Sequence, residues 1–133
     1  ALVGTKHRLL PGGGVNPHEG DDNAAKREMR EEVGCEIKII REVAKTEEFR
    51  EKIGRHQYTR FLLAKVVGKK GIPQTTQKDE QGIVIEWHAL ADAIMLLEKQ
   101  KNEIPFEDYN ACFNVRTHLA VLKELQTIKN SAS

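Results

Sequence analysis

Residues 13–35 of the chain read GGVNPHEGDDNAAKREMREEVGC, and the fold is decided by what this stretch becomes. Asp21, Asp22 and Asn23 can each cap the start of a helix, and Gly34 is placed to stop it after Val33. At roughly 100° per residue, Glu28, Glu31 and Glu32 fall within about one 100° arc of that helix. Ala25, Met29 and Val33 form an adjacent apolar stripe. The stripe is expected to dock the helix on a sheet, with the carboxylates bordering the docked face. Upstream, Pro11 leads into Gly12-Gly13-Gly14, where the backbone can approach a phosphate or turn sharply with no Cβ in the way.

Three like charges at i,i+3 and i,i+4 spacing repel one another. A solvated acidic face, partly neutralised by Lys26 and Arg27, is one account of them. A hard divalent cation is the other, because Mg²⁺ takes oxygen ligands, usually one or two carboxylates with waters and substrate phosphates. The helix alone leaves both accounts open.

Working outward, Leu2–Thr5 and Leu9–Leu10 read as short extended pieces. Glu36–Val43 carries Ile37, Ile39 and Val43 in alternation and predicts a strand, and Gln57–Val67 predicts a second. The polar segment Thr46–His56 between them, with Gly54, is expected to be a long hairpin loop. Gly68–Gln81 reads as a connection to a third strand, Ile83–Trp87. Two helices are expected at Leu90–Lys99 and Tyr109–Ile128, the second with Val115, Leu119, Leu122, Leu125 and Ile128 on one face. Strands mixed with helices in this order imply an α/β or α+β sandwich.

At 133 residues the chain is expected to form one domain, residues 1–133. With 39% apolar residues it can close a core, which argues against a disordered or low-complexity chain. No apolar run approaches the roughly 20 residues that span a bilayer, and no secretory signal is visible. Twenty-one Lys and Arg against 20 Asp and Glu leave a formal charge of +1, so no global field draws in nucleic acid or an anionic membrane. Cys35 and Cys112 lack CxxC or metal-type spacing and read as two buried thiols in a reducing cytosol.

The quoted stretch resembles the Nudix box, G-x5-E-x7-R-E-U-x-E-E-x-G-U with U a bulky aliphatic residue. The matching residues are Gly13, Glu19, Arg27, Glu28, Met29, Glu31, Glu32, Gly34 and Cys35. At average residue usage the fixed positions recur by chance in fewer than about one window in 10⁷. Cys35 departs from the customary aliphatic residue but is itself a small hydrophobe. The resemblance implies a Nudix-type α/β/α sandwich with a mixed sheet between helices. Only 11 residues precede Gly12, short of the strand hairpin that family members carry there, so the expectation is either that an N-terminal strand is missing from this sequence or that the sheet is abridged.

The resemblance further implies a hydrolase that cleaves a phosphoanhydride bond of a nucleoside diphosphate linked to a group X. Glu28, Glu31 and Glu32 would bind Mg²⁺ or Mn²⁺, Arg27 would hold a carboxylate in position, and Glu19 would support the metal site. Gly12 and Gly13 would shape the substrate loop. Water attack needs a general base: Glu31, Glu32, or a carboxylate from a later loop. Among loop candidates Asp79 and Glu80, just before the third strand, are better placed than Glu47 and Glu48 on the hairpin loop, and Glu80 is preferred.

For substrate, Arg50 stands where ADP-ribose-type members carry proline. Glu51, Lys52 and Ile53 stand where dinucleoside polyphosphate members carry tyrosine. What remains is a MutT-like nucleoside triphosphate pyrophosphohydrolase, cytoplasmic, a monomer or homodimer acting on a nucleotide-type small molecule. Tyr58, Phe61 and Trp87 can stack on a base, although strand spacing favours core positions for them. The alternative is a catalytically silent Nudix-fold module that binds a nucleotide or a protein. Such modules typically lose box carboxylates, and this chain keeps them all.

Overall fold

The computed structural model describes residues 2–4, 8–12, 14–50, 55–68, 84–105 and 107–131. In chain order the elements are β1 (Leu2–Gly4), α1 (Asp21–Glu32), β2 (Glu36–Arg50), β3 (Arg55–Val67), β4 (Val84–Glu86), α2 (Leu90–Glu103) and α3 (Tyr109–Ser131). Each helix expected from the apolar spacing forms, α2 and α3 running a few residues further than expected. Among the described residues no helix is long and apolar enough to cross a membrane.

Strand β1 shows the layering. Successive side chains of a strand point to opposite faces, and Leu2 and Val3 are both buried, in different clusters. Leu2 packs with Ala93 and Leu97 of α2 and Leu119 and Leu122 of α3. Val3 packs with Val33 and Cys35, against Met29 of α1, Val66 of β3 and Ile85 of β4. One short strand is therefore covered by helices on both faces, as the α/β/α sandwich requires. Leu97 is fully buried, which contributes about 2–3 kcal/mol by area alone.

The layered α/β/α fold is as expected, while a mixed order of the sheet is not traced through the described residues. Among the described residues the strands pair as two separate two-stranded antiparallel ladders, β1 with β4 and β2 with β3. A bridge from Leu9 back to Val3 adds a third short partner on the β1 side. The long β2–β3 ladder pairs the facing backbone groups of two antiparallel strands. The connections that would extend either ladder, residues 5–7 and 69–83, lie outside the described residues.

The expected loop over Thr46–His56 is corrected at residues 46–50 and 55–56, which are strand; residues 51–54 lie outside the described residues. The ladder continues through Lys45↔Arg60, Thr46↔Thr59 and Glu47↔Tyr58 to Arg50↔Arg55. The outer half of a two-stranded ribbon need not bury a face, so polarity there does not signal a loop. Register shifts between Ile39 and Arg41 and between Glu42 and Ala44 also interrupt the apolar alternation that the sequence reading used.

Neither thiol is paired. Cys35 is buried as expected, but Cys112 is only half-buried, its Sγ donating to the Pro105 carbonyl at 3.3 Å. Tyr58 and Trp87 are 70% and 41% exposed rather than core. Phe61 alone of the three is half-buried.

Candidate functional site

Helix α1 places the charged residues of the quoted stretch. Its cap position is Gly20, with no side-chain cap, where Asp21, Asp22 or Asn23 was expected to serve. Asp21 and Asp22 instead occupy the first turn, where the helix dipole favours negative charge. Asp21 Oδ2 accepts from Arg60 Nη1 of β3 at 2.9 Å, and Arg60 Nε reaches Glu42 Oε1 of β2 at 2.7 Å. These bonds hold the helix start to the ribbon. The helix ends as Gly34 takes φ +74°, a conformation other residues resist, which turns Cys35 into the core.

Arg27 is the hub. Its Nε and Nη2 donate to the two oxygens of Glu19 at 3.0 and 3.1 Å, a forked pairing. Its Nη1 donates to Glu28 Oε1 at 2.9 Å and Glu31 Oε2 at 3.3 Å, and Nη2 also reaches the Gly14 carbonyl at 2.8 Å. Three carboxylates thus share one guanidinium. Glu19 reaches this hub because the loop folds back on itself. The Glu19 N–H donates to the Asn16 carbonyl, and the Asn16 N–H donates to Glu19 Oε1, both at 3.1 Å. Pro17 and His18, the latter at φ +65°, complete the turn.

The electrostatics follow from these contacts. The Arg27 hydrogen bonds, helped by the Asn16 N–H, hold the Glu19 carboxyl below its usual range. Glu19 chiefly, then Glu28, raise the Arg27 pKa further above its ordinary value. Glu28 was expected to border the docked face. Its residue exposure is only 9%, so its charge sits at the edge of the core with Arg27 as its counter-ion.

Glu32 lies one turn on, and its Oε2 accepts the Gly12 N–H at 3.1 Å. The chain leading to Gly12 is tethered residue by residue. The Arg8 N–H donates to Gln100 Oε1 at 2.7 Å, and Gln100 Nε2 donates to the Arg8 carbonyl at 2.8 Å. Leu9 exchanges two bonds with Val3 at 2.8 and 2.9 Å. The Leu10 N–H donates to His118 Nδ1 of α3 at 3.0 Å. This tether is the part of the site that sequence reasoning missed. The available signal was a histidine on the apolar face of α3, between Val115 and Leu122.

Burial pushes the His118 pKa down to about 4. An unfolded-chain histidine titrates near 6.5. As pH falls from about 6.5 to about 4, the unfolded state binds a proton that the folded state refuses, so stability falls with pH in that window. Below it the contribution is flat. The loss is at most about 3–4 kcal/mol. Urea unfolding across this window is expected to show the slope in the wild-type chain and a shallower one in His118→Asn, the difference lying mainly above about pH 5, where carboxylates such as Glu19 do not contribute.

The box thus brings together Glu19, Arg27, Glu28 and Glu31 on one hub, with Glu32 on the Gly12 amide. Gly13, Asp79 and the preferred loop base Glu80 lie outside the described residues. Glu47 lies on β2, opposite Tyr58 in the ladder, and the Glu48 side chain is outside the described set. A divalent cation suits the donor chemistry, since all four acids offer hard oxygens. A Cβ placed on Gly12 or Gly14 would meet nothing within 4 Å, so an anionic group has room to approach the backbone there. As placed, Glu19, Glu28 and Glu31 turn to Arg27 and Glu32 to Gly12, and no trio of acidic, His or Cys side chains among the described residues is spaced to hold a metal.

A cleft among the described residues lies elsewhere, between β2 and α3. It has a volume of about 600 Å³ and includes Val43, Ala44, Phe113, Arg116 and Val121 among its walls. None of its lining residues belongs to the carboxylate network, which remains the candidate site on its chemistry. The family model that matches the chain is that of the NUDIX domain, over residues 4–109. A search of curated proteins finds no match to the chain.

Proposed function

The chain belongs to the Nudix family, and from that premise we propose that it hydrolyses a phosphoanhydride bond of a nucleoside diphosphate linked to a group X, with a divalent metal as cofactor. The observation that carries this reading is the sharing of one guanidinium, Arg27, by Glu19, Glu28 and Glu31, beside a glycine amide that binds Glu32. A merely solvated acidic face has no reason to be tied to the glycine loop from two directions.

Glu28, Glu31 and Glu32 are the residues that would hold the metal, as Mg²⁺ or Mn²⁺. Such a cation, when bound, neutralises phosphate oxygens and lowers the pKa of bound water. Arg27 orients Glu28 and Glu31, and through Glu19 and the Gly14 carbonyl it fixes the loop beside them. Glu31 or Glu32 would take the proton of the attacking water, with Glu80 as the alternative base from the later loop. Gly12 and Gly13 would leave the backbone open to the phosphates.

The substrate class we infer is a nucleoside triphosphate, cleaved to the monophosphate and pyrophosphate in MutT-like fashion. The rings of Tyr58 and Trp87 are 70% and 41% exposed, which supports stacking on a base. The test is a panel of canonical dNTPs, oxidised dGTP, ADP-ribose and diadenosine tetraphosphate, assayed with Mg²⁺, with Mn²⁺ and with EDTA. Pyrophosphate release from a triphosphate, lost in EDTA and restored by metal, is the expected result. Turnover confined to ADP-ribose or the dinucleotide would overturn the substrate class, and no turnover of any compound would overturn the enzymatic reading.

A further inference from the structure

We propose that His118 is a positioning residue for this site: by accepting the Leu10 N–H, it sets where the Gly12 amide meets Glu32. The proposal rests on the reading of the box as a metal-dependent hydrolytic site. His118 lies far from the box in sequence and touches none of its carboxylates, so nothing in the motif assigns it a role.

The geometry has three links. First, the His118 ring is held from two sides. Phe61 of β3 meets it edge-on, with ring centroids 5.4 Å apart and planes at 78°, and the Leu10 N–H donates to Nδ1 at 3.0 Å. A backbone N–H can only donate, so Nδ1 carries the lone pair and the ring proton sits on Nε2. Burial favours the neutral ring and so preserves the acceptor.

Second, Leu10 is joined to Gly12 through Pro11, whose ring fixes φ and removes a donor. A shift at Leu10 therefore reaches Gly12 with little slack. Third, the Gly12 N–H donates to Glu32 Oε2 at 3.1 Å, so the position of the glycine amide sets that of a proposed metal-binding carboxylate. The Leu10 side chain packs independently against the α2–α3 cluster. Losing the bond to His118 thus displaces the loop without releasing it, and the effect falls on catalysis more than on folding.

The test compares His118→Asn, which retains an acceptor near the position of Nδ1, with His118→Leu, which fills more of the space but accepts nothing. An acceptor role leaves Leu the worse variant; a packing role leaves Asn the worse. In the full chain, His118→Leu is expected to lower kcat about tenfold with KM within about twofold, and Asn to stay within about threefold of wild type. Free Mn²⁺ measured by electron paramagnetic resonance should show weaker binding, about fivefold, for Leu only.

Amide exchange is the readout that does not depend on activity. Leu10 and Gly12 should both exchange faster in His118→Leu, and in His118→Asn neither should change much. Faster exchange at Leu10 with Gly12 unchanged, or retention of Mn²⁺ binding ranked by side-chain volume, would overturn the positioning role. A wild-type chain inert on every phosphoanhydride would instead overturn the hydrolytic reading. The exchange data would still decide whether His118 sets the Gly12 amide.

Discussion

Glu32→Gln is expected to lower kcat on the best nucleoside triphosphate by on the order of 10³-fold, within the range that positioned proton transfer supplies. The substitution is informative because so little else changes. The glutamine amide oxygen can still accept the Gly12 N–H that Glu32 Oε2 accepts at 3.1 Å, so the loop keeps its anchor. The side chain keeps its length and its place on α1. What is lost is the negative charge and the ability to take a proton. Steady-state kinetics with saturating Mg²⁺ check this, alongside thermal unfolding, whose midpoint should stay near that of wild type. Turnover within about twofold of wild type would remove Glu32 from both metal binding and base catalysis.

Arg27→Ala is expected to cost both activity and stability. One guanidinium serves Glu19 in a fork, Glu28, Glu31 and the Gly14 carbonyl. Its removal strips a largely buried carboxylate, Glu28, of a counter-ion, and leaving one member of such a pair behind is the costly way to break it. It also frees the loop that carries Glu19. The expected outcome is a fall in kcat/KM of about 10²-fold, comparable to loss of a residue that orients metal ligands, together with a lower unfolding midpoint. Arg27→Lys should recover part of the stability and little of the activity, because an ammonium keeps the charge but cannot fork to three carboxylates in fixed geometry. Equal activity for Lys and Arg would show that charge alone suffices at this position.

How much of this was legible in the sequence depends on the range of the interactions. Helix α1 and its glycine stop are local, set by spacing and by the conformational freedom of Gly34, and they could be read directly. The outer ribbon could not. Its Thr46–Arg50 half is polar, and only the cross-strand partners reveal it as strand. The two faces of β1 were likewise hidden, because Leu2 and Val3 acquire their meaning from α2, α3 and the hairpin. At the site, the motif spacing placed Glu28, Glu31 and Glu32 on one face. That Arg27 holds Glu19 and two of those acids at once depends on the loop folding back through Asn16. The His118 tether spans from α3 to the approach to the glycines, and no local pattern encodes such a contact.

The claim beneath all of this is that the acids of α1 are gathered to hold a divalent cation at a phosphoanhydride. A crystal of the chain grown with Mn²⁺ and a non-hydrolysable nucleoside triphosphate, mapped by anomalous scattering, tests it most directly. The expected map has a manganese peak coordinated by oxygens from at least two of Glu28, Glu31 and Glu32, and by the phosphates of the nucleotide. Manganese elsewhere, with these three side chains still turned to Arg27 and Gly12, would contradict it.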